Sequence, residues 1–242
     1  MKLINDIHAL LNTTPDLTKV LNLGHFADFP ALAGTLLASS CSNPALGEVV
    51  RNVYDSDPIL VEMSCYDIAE TARRNFEPGG PAATVLFARG VHAIMGHRVA
   101  HKLWSDGNTA LSLATKSSFG RAFSTDIHPA AQIGPGLWLD HGLGFVAGET
   151  AVIAEDVSIW HNVTLGGTLN DSGSHRHPHV GRGAVIGAGA MLLGGITIGA
   201  NANIAAGSIV VQDVPPGALA VGHKARIQGE AQISFSPKPE IP

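Results

Sequence analysis

The sequence predicts an α+β chain: an N-terminal all-helical domain followed by a parallel β-helix of hexapeptide repeats with one ejected loop. Three observations carry this. Apolar residues recur at three- and four-residue spacings through the first 120 residues. From Ile127 onward the spacing becomes six. The six-residue count then breaks over a polar stretch that ends in SGSHRHPHV (172–180).

The helical half comes first. AETARRN, VLFARGVHAIMGHRVAHKLW and NTALSLATKSS each carry the helical spacing. Pro15, Pro30, Pro44, Pro58 and the EPGGP run (77–81) punctuate it, because proline lacks an N–H and is tolerated mainly at a helix start. The expected divisions are a helical domain over 1–122, a β-helix over 123–227 and a tail over 228–242.

In the second half the apolar series runs Ile127, Ile133, Leu139, Phe145. After a shift of two it resumes as Ile153, Ile159, Leu165, and after a longer interruption as Val180, Ile186, Leu192, Ile198, Ile204, Val210. The residue four further on is usually small or β-branched, as at Ala131, Val157, Val163, Ala184, Ala190, Ala202 and Ser208. Such a period fits neither a helix nor a long alternating strand. It fits a solenoid in which each hexad makes a short strand and a turn, and three hexads close a triangular coil. Aliphatic ladders then fill the inside, with coils about 4.8 Å apart. Between Leu165 and Val180, GGTLNDSGSHRHPH leaves the count as a loop, and long loops on regular scaffolds carry function disproportionately.

Composition agrees. Hydrophobic residues make up 45%, charged residues 14% and aromatics 5%, with 28 glycines, so the core must be built from small and β-branched side chains. The net charge is −5 and no Lys/Arg block exists, which argues against nucleic acid as a partner. No run of about 18 apolar residues is present, and no secretory segment follows Met1. Cys41 and Cys65 form no CxxC. A soluble cytoplasmic protein with no membrane association is expected.

DIHPAAQIG (126–134), LDHGLG (139–144), GETAVI (148–153), VTLGGT (163–168), RHP (176–178) and IGAGA (186–190) together resemble the serine O-acetyltransferase family. VHAIMGHRVAHKLW (91–104) resembles that family's last N-terminal helix, so the likeness spans both halves, roughly residues 45–227. The resemblance implies a left-handed β-helix. It implies trimers through the β-helices, paired into hexamers through the helical domains, with active sites between neighbouring β-helices. The implied reaction passes the acetyl group of acetyl-CoA, a co-substrate, to the hydroxyl of serine for cysteine biosynthesis, with no metal.

Such a transfer needs a base, donors for the oxyanion and an oriented acceptor. His141 matches the family's base, and an imidazole titrating near 6.5 suits that work. Asp126 matches the carboxylate that pairs with it; fifteen residues apart, the two are expected on adjacent rungs. Asp140 matches the residue that helps hold the substrate ammonium. Arg176 and His177 match the loop pair that holds the carboxylate and hydroxyl. Gly167, Thr168, Ala188 and Ala206 match positions lining the acetyl-CoA groove. Glu149 reads as a residue behind the site, or as a turn residue, and His175 and His179 as rim residues. His97 and His101 have HxxxH spacing without the glutamate of HExxH, so packing or an interface is their expected role. Neither cysteine falls in a motif, which favours direct transfer over an acyl-enzyme.

Four departures stand out. Asn75 takes the place of an aspartate that contacts serine, or cysteine as feedback inhibitor. His175 makes the loop one residue longer. Leu169-Asn170 replaces a segment that often holds lysine. Many members end in isoleucine, which inserts into O-acetylserine sulfhydrylase; this chain ends Glu240-Ile241-Pro242, and a terminal proline fits such a pocket poorly. Two other readings remain open: an acceptor such as homoserine, or, with less support, a zinc enzyme of the γ-carbonic-anhydrase kind, whose three histidines come from two subunits, whereas His175, His177 and His179 here alternate in one loop. Restoring the charge with Asn75→Asp is expected to tighten serine or cysteine binding. Unchanged KM and cysteine inhibition would remove residue 75 from ammonium recognition.

Overall fold

A computed structural model describes residues 2–76, 78–169 and 173–222, together with Lys224 and Arg226. Asn170, the expected 228–242 tail and its Ile241-Pro242 end lie outside the described residues. Eight helices precede fourteen short strands among those described. The helices are α1 (Lys2–Thr13), α2 (Asp16–Val20), α3 (Phe29–Ser40), α4 (Ala45–Ser56), α5 (Pro58–Arg74), α6 (Gly80–Phe87), α7 (Arg89–Ser105) and α8 (Thr109–Phe123). Pro15 and Pro44 immediately precede α2 and α4; Pro30, Pro58 and Pro81 sit in the first turns of α3, α5 and α6. Asp28 and Asp57 cap α3 and α5 through their carboxylates.

VLFARGVHAIMGHRVAHKLW is not one helix. It breaks at Ala88, whose ψ of 105° is extended, into α6 and α7. From there α7 runs through the middle of the protein, buried continuously from Gly90 to Ala100. Its start abuts the β-helix so closely that a Cβ at Gly90 would lie 1.8 Å from the Leu139 carbonyl oxygen. Its histidines are packed inside. His92 donates through Nε2 to the Val85 carbonyl at 2.7 Å, and His101 through Nδ1 to that of Pro129 at 2.7 Å.

The strands form three parallel faces. Face one holds β1 (Asp126–Ile127), β4 (Val146–Ala147), β7 (Thr164–Gly166), β10 (Met191–Leu193) and β13 (Ile209–Val210). Face two holds β2 (Gln132–Ile133), β5 (Val152–Ile153), β8 (His179–Val180) and β11 (Thr197–Ile198). Face three holds β3 (Trp138–Leu139), β6 (Ser158–Ile159), β9 (Val185–Ile186), β12 (Asn203–Ile204) and β14 (Leu219–Ala220). Up to β13 each strand's partner is the third one along the chain, which is the signature of a triangular coil.

One detail of the expected register changes. Ile127 pairs with Ala147, not Phe145. Phe145 is buried, but it fills the place that Ala131 and Val157 hold in other hexads. The two-residue shift therefore falls before Phe145, inside the turn Asp140–Gly144, and that turn contains His141. The aliphatic series hides this, because Phe145 continues the count by coincidence.

A buried ion pair joins the two halves. Arg98 on α7 lies 2.7 Å from Asp67 on α5, and it also donates to the carbonyls of Ile133 (3.2 Å) and Gly134 (3.1 Å). Asp67 accepts the Gly136 N–H at 2.7 Å. Burial pushes the Asp67 carboxyl up to about 6 against the pull of Arg98, so the pair is still ionised at neutral pH.

Burial pushes the His97 imidazole down from 6.5 to about 3. Below pH 6.5 the unfolded chain therefore takes up a proton that the folded one refuses. The stability due to neutral His97 is full above pH 6.5 and is lost as pH falls, by up to about 1.4 kcal/mol per pH unit. His97→Gln should flatten the urea-derived stability profile across the mildly acidic range. A slope equal to that of the parent would contradict the assignment.

Candidate active site

The corner between faces three and one carries the first group of residues. Asp140–Gly144, swollen by two residues, turns out of β3 with positive φ at His141 (61°), Gly142 (73°) and Gly144 (67°). Below and above it the corners are tied by backbone bonds. Gly144 N–H reaches the Ser124 carbonyl (2.7 Å), Asn162 N–H that of Leu143 (2.7 Å), Gly189 N–H that of His161 (3.0 Å) and Gly207 N–H that of Ala188 (2.8 Å). His141, His161, Ala188 and Ala206 thus form one column. His161 was not foreseen; its ring lies 5.4 Å from that of His141. Its place just after β6 repeats that of His141 after β3, and counting from the corrected register would have found it.

His141 is well exposed, and its Nε2 lies 3.2 Å from an Asp140 carboxylate oxygen. A cavity of about 380 Å³ opens beside it, lined by Thr71, Asn75, Arg89, Gly90, Asp140 and His141 among others. Asn75 reaches it as the C-cap of α5. Helical and β-helical residues distant in sequence therefore meet at one small cleft, at the lower end of ligand-pocket sizes.

The expected Asp126–His141 pair is not formed. The backbone does bring the two segments together, since Asp126 N–H donates to the Phe145 carbonyl at 2.9 Å. The Asp126 carboxylate, however, is paired with Lys116 on α8, and the partner of His141 is Asp140. The lysine comes from the helical half, where no repeat count predicts its position.

The second group sits at the next corner, between faces one and two. His177 is buried and its ring packs against Gly148, where a Cβ would come within 2.0 Å of Nε2. Thr150 holds it in place: its N–H (3.2 Å) and hydroxyl (2.9 Å) both face Nδ1. Nδ1 is therefore the acceptor, and the proton of the neutral ring sits on Nε2. The Thr150 hydroxyl also accepts the backbone N–H groups of Arg176 (3.2 Å) and His177 (3.0 Å). Thr150 belongs to the GETA turn in which only Glu149 had been singled out. Glu149 itself pairs with Arg176 at 2.8 Å. Gly167 and Thr168 leave β7 at this corner and are exposed.

The predicted residues therefore fall into two sets. His141, Asp140, Asn75, Ala188 and Ala206 share one corner, while Arg176, His177, Gly167 and Thr168 occupy the neighbouring one. His175 and His179 lie against each other with ring centroids 3.9 Å apart and ring planes tilted by 31°. Among the described residues no group of three or more His, Cys, Asp or Glu is arranged to hold a metal ion, and no helix is long and apolar enough to cross a membrane.

Comparison with known proteins matches residues 177–212 to the family model "Bacterial transferase hexapeptide (six repeats)". A serine acetyltransferase of Escherichia coli strain K12 is 44% identical over 200 residues, covering 81% of this chain and 73% of that protein. The Neisseria gonorrhoeae serine acetyltransferase, solved in complex with serine, superposes with a TM-score of 0.82 at 37% identity, covering 93% of this chain and 95% of that one. The Brucella abortus enzyme, solved with coenzyme A, gives 0.83 at 35% identity, covering 96% and 95%.

The contact between Gly148 and His177 is open to test. Gly148→Ala should displace the imidazole and the loop behind it, with a loss on the order of 10²-fold in kcat/KM, as expected for ångström-scale misplacement. Parental kinetics would show that this contact does not position the loop.

Proposed function

The chain belongs to the serine acetyltransferase family, and we propose that it passes the acetyl group of acetyl-CoA to serine at a site shared between neighbouring copies, with His141 as the general base. The fold is that family's helical domain followed by a left-handed parallel β-helix. Products are O-acetylserine, which serves cysteine biosynthesis, and free CoA. The observation that carries the site assignment is the cavity that gathers His141, Asp140 and Asn75 from both halves of the chain.

In this mechanism the acceptor's ammonium lies against Asp140 and its hydroxyl against His141. The imidazole takes the hydroxyl proton as oxygen attacks the thioester carbonyl. The tetrahedral oxyanion collapses, the C–S bond breaks, and the imidazolium returns the proton to the departing thiolate. Asp140 orients the ring; Asp126 takes that role only by leaving Lys116. No acyl-enzyme is required.

The two-corner arrangement supports a trimer. The loop corner of one copy, carrying Arg176 and His177, would face the His141 corner of the next. Ala188 and Ala206 from one side and Gly167 and Thr168 from the other would then line the groove for the pantetheine. Pairing of trimers through the helical domains and a cytoplasmic location complete the reading.

Thiol release from acetyl-CoA with serine, homoserine and threonine tests the reaction. Serine is expected to be the best acceptor, and no turnover with serine would sink the assignment. His141→Ala should lower kcat by at least about 10²-fold; a near-parental kcat would remove it as the base.

A further inference from the structure

The cavity beside His141 contains a guanidinium of its own. Arg89, the first residue of α7, lines it together with Asp140, His141 and Asn75. Among the described residues no hydrogen bond or ion pair engages the Arg89 guanidinium. Arg176, by contrast, already has a carboxylate partner in Glu149 at 2.8 Å.

We propose that Arg89 anchors the acceptor's carboxylate from within the same chain that supplies His141. The charge balance of the cavity is the argument. Among the described residues its formally charged lining groups are one carboxylate, Asp140, and one guanidinium, Arg89. A zwitterionic amino acid needs one group of each sign, held apart, with its side-chain hydroxyl directed to the base between them. The neutral Asn75 sharpens this. An aspartate at that position would make the cavity net negative and would compete for Arg89; with asparagine, Arg89 is left to the substrate. A planar fork of N–H donors suits a carboxylate, which it can hold in bidentate fashion. Arg89 thus selects an α-amino acid over an amino alcohol or amide at the His141 corner itself, and Arg176 of the neighbouring copy closes on the same carboxylate from the other side.

This inference rests on the serine-acetyltransferase reading, and one cycle of measurements separates the two. Parent, Arg89→Met, Arg89→Lys and Arg176→Met are each assayed with serine and with serinamide, whose carboxylate is replaced by a neutral amide. Where serinamide turnover is too slow, its Ki against serine is used. Failure of the parent to acetylate serine would overturn the reaction itself. If Arg89 holds the carboxylate, Arg89→Met raises the KM for serine by about 10- to 100-fold, as expected for losing a charge-assisted contact. It leaves serinamide and the KM for acetyl-CoA unchanged, so the preference for serine collapses; Arg89→Lys recovers part of it. A structural role would lower serine and serinamide alike. Equal losses on both acceptors, or no loss on either, would overturn the proposal, as would a preference abolished by Arg176→Met but untouched by Arg89→Met.

Discussion

The six-residue ladder is the constraint on which the rest depends. The β-helix has no core apart from the side chains that point into its triangle, and none of the strand residues from Ile127 to Val210 that form the inward aliphatic ladder, Ala147 included, is more than 8% exposed. Each must sit directly over its counterpart one coil below, as Ile153 sits between Ile133 and Val180. Extra residues cannot be taken up inside such a stack, because close-packed interiors resist added volume. They are pushed outward at a corner. This happens in two places, at Asp140–Gly144 and in the loop after Gly166, and both carry the candidate chemistry. A regular stack thus acts as a rigid support for two irregular excursions, the arrangement best suited to holding reacting groups in place.

The helical half supplies what the ladder cannot. The Asp67–Arg98 pair and the close approach of Gly90 to Leu139 lock α5 and α7 onto the first coil. Arg74, at the end of α5, donates to the carbonyls of Asp156 and Val157 and to the Ser158 hydroxyl, each at 3.1 Å. Asn75 follows it directly and is carried to the His141 corner. Burying an ion pair costs desolvation and is weak evidence for stability. Its evident consequence here is placement: one wall of the cavity beside His141 is helical, the other is a β-helix corner, and their relative position is fixed by charge-assisted bonds.

Much of this was legible in the sequence, for identifiable reasons. A period is a local property, so the helix-to-solenoid change near Asp126, the ejected loop and most of the ladder could be counted directly. The prolines marked helix starts because the missing N–H leaves few other places for them. The failures share a cause as well. Phe145 kept the count while occupying a different slot, so the bulge was placed one turn late. Ala88 ended a helix that apolar spacing would have continued, and α7 restarts with Gly90 packed against Leu139. Lys116 captured Asp126, Thr150 fixed His177, and Arg89 entered the cavity through contacts or placements between segments far apart in sequence. The candidate site residues were readable as a set, but their division between two corners depends on three-dimensional register alone.

That division is the centre of the account: in the proposed site the two corners come together across neighbouring copies of the chain. Mixed oligomers test it most directly. His141→Ala and Arg176→Ala subunits, each deficient alone, are co-assembled and assayed for acetyl transfer. If each site draws His141 from one copy and Arg176 from its neighbour, mixed oligomers contain fully intact sites and recover substantial activity. If both residues serve a site within one chain, every site stays defective and mixing restores nothing.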